Sequence, residues 1–144
     1  MNVLKVKKND IEAIIPRYAT KGAACFDLHA IWGGEIAPCG GTCDFRTGLS
    51  FEIPEGYVMK VYSRSGHGFK NGIRLVNSVG IVDSDYRGEV MVKLRNDSYI
   101  AYTVRDGDRV AQAMIVPAPI FQIMEVESLG ETERGTGGFG STGK

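Results

Sequence analysis

Helical periodicity, net charge and long apolar runs are all missing from this chain, and each absence removes a class of protein. The 17 lysines and arginines are balanced by 17 acidic residues, so the formal net charge at pH 7 is zero. No global field therefore draws the chain to nucleic acid or to an anionic membrane, and any cations that bind phosphate must act locally. The longest apolar stretch, residues 110–121, is interrupted by Gln112, Pro117 and Pro119 and is too short and broken to cross a bilayer. The opening MNVLKVKKND lacks the apolar core of an export signal, and a cytoplasmic location is expected. Cysteine is scarce: Cys25, Cys39 and Cys43 are an odd set, read most simply as reduced thiols. Cys39 and Cys43 with His29 nearby make half of a zinc signature at most. The other half is absent, so zinc is rejected in favour of small side chains near a turn. No internal repeat is present.

What the chain does have is alternation. Phe45, Thr47, Leu49, Phe51 and Ile53 alternate with more polar neighbours, as do Val90, Val92 and Leu94, and later Ala111, Ala113 and Ile115. Period two places one row of side chains on a core face and the other towards solvent or a partner. Turn signals separate the runs: Gly33-Gly34, Gly40-Gly41, Pro54-Glu55-Gly56 and Asp106-Gly107-Asp108. Short strands with frequent turns predict an all-β sandwich or barrel. At most one short helix fits, around residues 65–71, and Gly66 and Gly68 weaken it. With 144 residues the chain is long enough for one domain with a real core. Composition breaks after Leu129. Residues 1–129 read as the β domain, and residues 130–144, GETERGTGGFGSTGK, read as a mobile tail.

Five segments carry side chains with chemistry. In Ala23-Ala24-Cys25-Phe26-Asp27-Leu28, the lone carboxylate of Asp27 either satisfies backbone amides or serves a ligand. Ser63-Arg64-Ser65-Gly66 offers a guanidinium, a hydroxyl and a closely approachable backbone, which suits a phosphate as well as a surface turn. The richest segment runs from Asn77 through Gly80-Ile81-Val82-Asp83-Ser84-Asp85-Tyr86-Arg87-Gly88 to Met91. It reads as a hairpin whose connection carries two acids, an aromatic and a base, although a plain hairpin needs only turn formers. In Gly107-Asp108-Arg109-Val110-Ala111-Gln112, Gln112 is either a satisfied buried amide or a ligand contact. The last segment, Arg134-Gly135-Thr136-Gly137-Gly138-Phe139-Gly140-Ser141-Thr142-Gly143, is either a disordered tail or a wrap for a nucleotide. In the second case backbone amides and hydroxyls meet phosphate and Phe139 covers a base. It is no Walker loop, because no Lys-Ser/Thr pair opens a helix.

In this order and spacing, the five segments resemble the motifs of the homotrimeric dUTP pyrophosphatase (dUTPase) family, over residues 23–143. The resemblance implies a jelly-roll-like distorted β-barrel (a β-clip) whose active sites are shared between three subunits. It implies dUTP as substrate and Mg2+ as cofactor, with products dUMP and pyrophosphate. Such an activity limits uracil incorporation into DNA and supplies dUMP for dTMP synthesis. Asp83 would orient and deprotonate the attacking water. Asn77, with Gly80, Ile81 and Val82, would meet the uracil edge. Tyr86 would pack on the deoxyribose and exclude a 2′-hydroxyl, and Met91 would line the same pocket. Arg64, Ser65 and Gly66 would hold phosphates from another subunit, with Gln112 in the same region. Asp27 would reach the metal only through water. Arg134, Phe139, Gly140, Ser141 and Thr142 would close over the nucleotide. Cys25, Ser63 and the pair His67-Gly68 depart from the family pattern. A dCTP deaminase of the same fold and a nucleotide-responsive regulatory binding protein are the competing readings.

Overall fold

A computed structural model describes residues 3–141 and 143. The first strand, β1 (Lys5–Lys8), pairs antiparallel with β5 (Leu49–Glu52). A second two-stranded ladder joins β3 (Gly34–Ile36) to β10 (Tyr102–Val104). One larger sheet has the order β2 (Phe26–His29), β11 (Arg109–Pro117), β6 (Tyr57–Tyr62), β8 (Val79–Val82), and the other the order β4 (Thr42–Arg46), β9 (Met91–Asn96), β7 (Ile73–Leu75). Every ladder is antiparallel. The sheets enclose one apolar cluster. Phe26, Leu28, Met59 and Val61 enter from the four-stranded sheet, and Phe45, Ile73, Val92 and Leu94 from the three-stranded one.

Alternation works as expected in β9. Val92, Leu94 and Asn96 are buried, while Met91 and Lys93 are exposed. Asn96 is polar in the inward row, and all of its hydrogen-bonding capacity is used. Nδ2 donates to the carbonyls of Ile36 and Ile100, and Oδ1 accepts from the Ser98 amide and hydroxyl. These bonds offset the cost of burying the amide and pin the 96–100 turn.

Between residues 45 and 53 the pattern fails in one respect. The apolar row is buried as expected, but Ser50 is buried too, because the opposite face lies against other chain rather than solvent. Ser50 Oγ accepts from Asn9 Nδ2 and donates to the Gly88 carbonyl, while Thr47 Oγ1 donates to the Val90 carbonyl. Gly48 makes the corner with φ +68°, where a Cβ would lie 2.8 Å from that of Ala13.

The expected hairpin over residues 79–91 does not form. β8 pairs with β6, Ile81 opposite Lys60, whereas β9 pairs with β4 and β7. Residues 83–90 therefore cross from one sheet to the other. Two apolar runs around a polar turn fit either arrangement, and here each run pairs with strands elsewhere in the chain.

The short helix forms where it fits, as α1 (Ser65–Asn71), closed by Gly72 in the left-handed conformation with its amide reaching the His67 and Gly68 carbonyls. No helix among the described residues is long and apolar enough to cross a membrane. β11 ends at Pro117, and the described residues 118–141 hold no strand or helix. Ile120, Phe121, Ile123, Met124 and Leu129 in that stretch are exposed, Ile123 to 97%.

Candidate active site

Two clefts gather the candidate residues. The first, of about 480 Å³, is lined by Asn77, Gly80, Ile81, Val82, Asp83, Tyr86 and Met91, with Val61 and Leu75 at its floor. That volume is enough for a nucleoside-sized ligand. β8 is the outermost strand of its sheet among the described residues, so one row of its backbone donors and acceptors is left for a ligand. Gly80 brings that strand close: a Cβ would sit 3.1 Å from Val61 Cβ and 3.5 Å from Asn77 Nδ2. Ser78, with φ +61°, turns the chain so that Asn77 hangs beside this edge. A carboxamide next to free backbone groups is a fixed donor and acceptor pattern, the kind of surface that reads a base edge.

The crossing loop places Asp83 and Tyr86 at the mouth of the cleft. The Tyr86 amide donates to the Asp83 carbonyl at 3.2 Å, and its hydroxyl donates to the Glu89 carbonyl at 3.1 Å. Both anchors hold the ring over the loop. The Asp83 side chain is in no hydrogen bond or ion pair among the described residues, and it is exposed. It is free to take a water.

Glu89, which sequence reasoning passed over, ties this loop down. Its carboxylate accepts from Arg46 Nε at 3.1 Å and Nη2 at 2.9 Å, and from the Gly48 amide at 2.8 Å. Arg46 in turn covers the Trp32 ring at 5.1 Å and is held more firmly protonated by the Glu89 hydrogen bond. A lone Glu beside a turn gives no sign in sequence that its partner lies 43 residues away.

The second cleft, of about 330 Å³, is lined by Asp27, Arg64, Ser65, Gly66 and Gln112, with Cys25 and alanines 19, 23 and 24. Register builds it. Gln112 on β11 lies opposite Asp27 on β2 and opposite Tyr62 on β6, so three separate motifs meet on neighbouring strands. Gln112 Nε2 donates to the Ser63 carbonyl at 2.9 Å, which fixes the approach to Arg64. Asp27 is gripped by two guanidiniums, Arg64 Nε at 3.1 Å and Arg109 Nη1 at 3.3 Å. Arg109 is a second residue missed in the sequence, where it stood in a motif noted for Gln112. Ser65 and Gly66 open α1, where amides have no carbonyl within the helix to bind. A guanidinium, free amides and a hydroxyl in one hollow are groups of the kind that suit a phosphate. The Cys25 thiol beside it is pushed above its ordinary pKa, by burial first and then by Asp27, which leaves it a poor nucleophile.

The tail residues join neither cleft. Arg134 Nε donates to the Gly137 carbonyl, Phe139 is fully exposed with φ +50°, and Gly140 and Ser141 continue as turns. Thr142 lies outside the described residues. The two clefts share no lining residue.

A family model described as dUTPase matches residues 11–143. A deoxyuridine 5′-triphosphate nucleotidohydrolase of Nautilia profundicola is 52% identical over 98% of this chain and 99% of its own length. One of Caulobacter vibrioides is 51% identical over 90% and 85%. Among solved structures, a mutant dUTPase of Staphylococcus bacteriophage 80alpha with dUpNHpp superposes with a TM-score of 0.92 at 26% identity, covering all of both chains. A dUTPase of phage phi11 of S. aureus, described for its coordination of a structural Mg(II) ion, gives 0.82 at 24% identity, over 88% of this chain and 98% of that one. The all-β fold and the two clefts thus accompany a relationship that runs the length of the sequence, and the chain belongs to the dUTPase family.

Proposed function

We infer that this protein is a dUTP diphosphatase, hydrolysing dUTP to dUMP and pyrophosphate. The observation that carries the reading is the uncommitted carboxylate of Asp83, set at the mouth of a cleft formed by Asn77, the β8 edge and Tyr86. Asn77 and the backbone of Gly80, Ile81 and Val82 take the uracil edge. Cytosine reverses that edge's donor and acceptor pattern, and unpaired buried polar groups make the mismatch costly. Tyr86 lies against the sugar where a 2′-hydroxyl would need room, and Met91 closes the side.

Asp83 holds a water in line with the α-phosphorus. The water oxygen forms a bond to phosphorus as the bond to the α–β bridging oxygen breaks. The water's proton passes to Asp83 and then to solvent, and the electron pair leaves with pyrophosphate. A carboxylate is a weak general base, so its contribution is chiefly orientation. Arg64, Ser65, Gly66 and Gln112 hold the phosphates, and Arg64 offsets charge on the leaving group.

The donor set suits Mg2+ bound mainly by the nucleotide. Among the described residues no group of three or more His, Cys, Asp or Glu could hold a metal unaided. Asp27, already engaged by two guanidiniums, has lone pairs left for a metal-bound water rather than for the ion. When bound, Mg2+ would neutralise phosphate charge.

A homotrimer would complete the site. Asp83 and Arg64 belong to clefts with no shared lining, which supports a reading in which a second copy of the chain brings them to one nucleotide. The apolar side chains of residues 120–129, uncovered in one chain, supply surface for such an association. The tail from residue 130, with Arg134, Phe139, Gly140, Ser141 and Thr142, closes over the bound nucleotide, leaving residues 1–129 as the β domain. Pyrophosphate release from dUTP, UTP, dCTP and dTTP, with and without Mg2+, tests the reading. Release from dUTP alone and only with Mg2+ supports it, and comparable rates on all four would end it.

A further inference from the structure

The Arg64 guanidinium is held from two sides, and one of them is a histidine with no part in the steps above. Nε donates to Asp27 Oδ1 at 3.1 Å, while Nη1 lies 3.3 Å from His67 Nε2 and 3.5 Å from the Arg109 carbonyl oxygen. A guanidinium has donors only. His67 Nε2 must therefore present a lone pair, which puts the ring proton on Nδ1 and leaves the ring uncharged. Nδ1 is buried and has no hydrogen-bond partner among the described residues. An unpaired buried polar atom is costly, so this orientation needs a compensating contact, and the one present is Arg64. The ring packs on Tyr102 with centroids 5.7 Å apart, which limits its rotation. Arg64 and Arg109 disfavour an imidazolium here, and Asp108 and Asp27 favour one; burial and then Arg64 prevail, lowering the His67 pKa from its ordinary value.

We propose that His67 is a positioning residue for phosphate binding: its neutral Nε2 and the Asp27 carboxylate together fix the Arg64 guanidinium so that the Nη2 edge remains for a phosphate oxygen. Among the described residues Nη2 donates to nothing. This role rests on dUTP being the substrate. Protonation removes the acceptor and sets two cations against each other, so Arg64 loses one anchor as pH falls and triphosphate binding weakens.

Wild-type protein, His67→Gln and His67→Leu are compared for KM and kcat with dUTP and Mg2+ between about pH 5 and pH 9, across the range in which a histidine titrates. Imidazole 15N shifts of the wild type are recorded over the same range. His67→Leu is expected to raise KM about tenfold at neutral pH, the scale of one hydrogen bond to a charged group, with kcat changed far less. His67→Gln, whose amide oxygen reaches a similar point and does not titrate, is expected to restore KM and to flatten its rise in acid. The 15N shifts are expected to report the Nδ1–H tautomer at neutral pH. A wild-type KM in His67→Leu at every pH, or an Nε2–H tautomer, overturns the role. If His67→Leu does not fold, the glutamine variant and the tautomer still decide. Wild-type protein that leaves dUTP intact would overturn the substrate reading itself, and is told apart by needing no variant.

Discussion

The Tyr86 ring lies so close to Gly88 that a Cβ on the glycine would overlap the tyrosine hydroxyl. That hydroxyl is also bound to the Glu89 carbonyl, so the ring has no room to yield without losing its anchor. Gly88→Ala should therefore displace the ring from the sugar site. Overpacking of this kind costs about 1–3 kcal/mol, so kcat/KM for dUTP should fall about tenfold. Discrimination against UTP should fall with it. Steady-state kinetics on both nucleotides read the effect, and an unchanged dUTP to UTP ratio would detach Tyr86 from sugar selection.

Asp83→Asn separates holding the nucleotide from attacking it. The amide keeps the size of the side chain but neither accepts the water's proton nor attracts it with a full charge. Turnover should drop by about 10²- to 10⁴-fold, the range found when a positioned acid–base group is removed. Affinity for a nonhydrolysable dUTP analogue, measured calorimetrically, should stay within a few-fold of wild type. Equal turnover in the two proteins would remove Asp83 from the reaction.

Glu89→Ala tests whether the crossing loop is fastened where the structure fastens it. The change leaves Arg46 without its bidentate partner and the Gly48 amide without an acceptor. The pair is part exposed, so solvent softens the loss, and about 1–2 kcal/mol of stability should go. Urea denaturation of wild type, each single variant and the Arg46→Ala/Glu89→Ala double variant isolates the coupling. Additive losses would show that the two side chains act separately.

How much of this was legible beforehand follows from what kind of pattern each feature leaves. The β character was legible because alternation and turn residues are local, and β9 keeps strict alternation. The motif residues around Asp83 and Arg64 were legible as groups, and they do line two clefts. Strand partners were not legible. Val79–Val82 pairs with β6 rather than with the run after Gly88, since an apolar strand does not encode which neighbour it will take. Arg109 and Glu89 act through partners 82 and 43 residues away, and His67 looked like a mere departure until its contact with Arg64 was seen. The two long-range pairings leave no local trace, whereas His67 and Arg64 are only three residues apart and it is the histidine's acceptor role that the sequence did not show.

The His67 environment also sets a pH dependence of stability. Folding lowers its pKa from the ordinary 6.5, chiefly by burial and next by Arg64. Below that ordinary value the unfolded chain binds a proton that the folded one resists, so stability rises with pH there and declines as pH falls. The decline begins near pH 6.5 and continues down to the folded pKa, and above pH 6.5 His67 contributes no slope. Thermal unfolding of wild type and His67→Gln across this window should show a weaker acid decline in the variant. Parallel curves would place the titration elsewhere.

Shared sites make one demand that no intrachain site makes. If Asp83 of one subunit serves a nucleotide whose phosphates lie on Arg64 of the next, two inactive variants can repair each other. Arg64→Ala supplies an intact Asp83, and Asp83→Asn supplies an intact Arg64. Random reassembly of equal amounts into closed rings should leave about a quarter of the interfaces with both groups intact. Activity near that fraction of wild type should appear on mixing after dissociation, and should be absent when the variants are mixed without it. Sites contained within one chain would stay dead in every mixture, because each chain would carry its own defect into its own site.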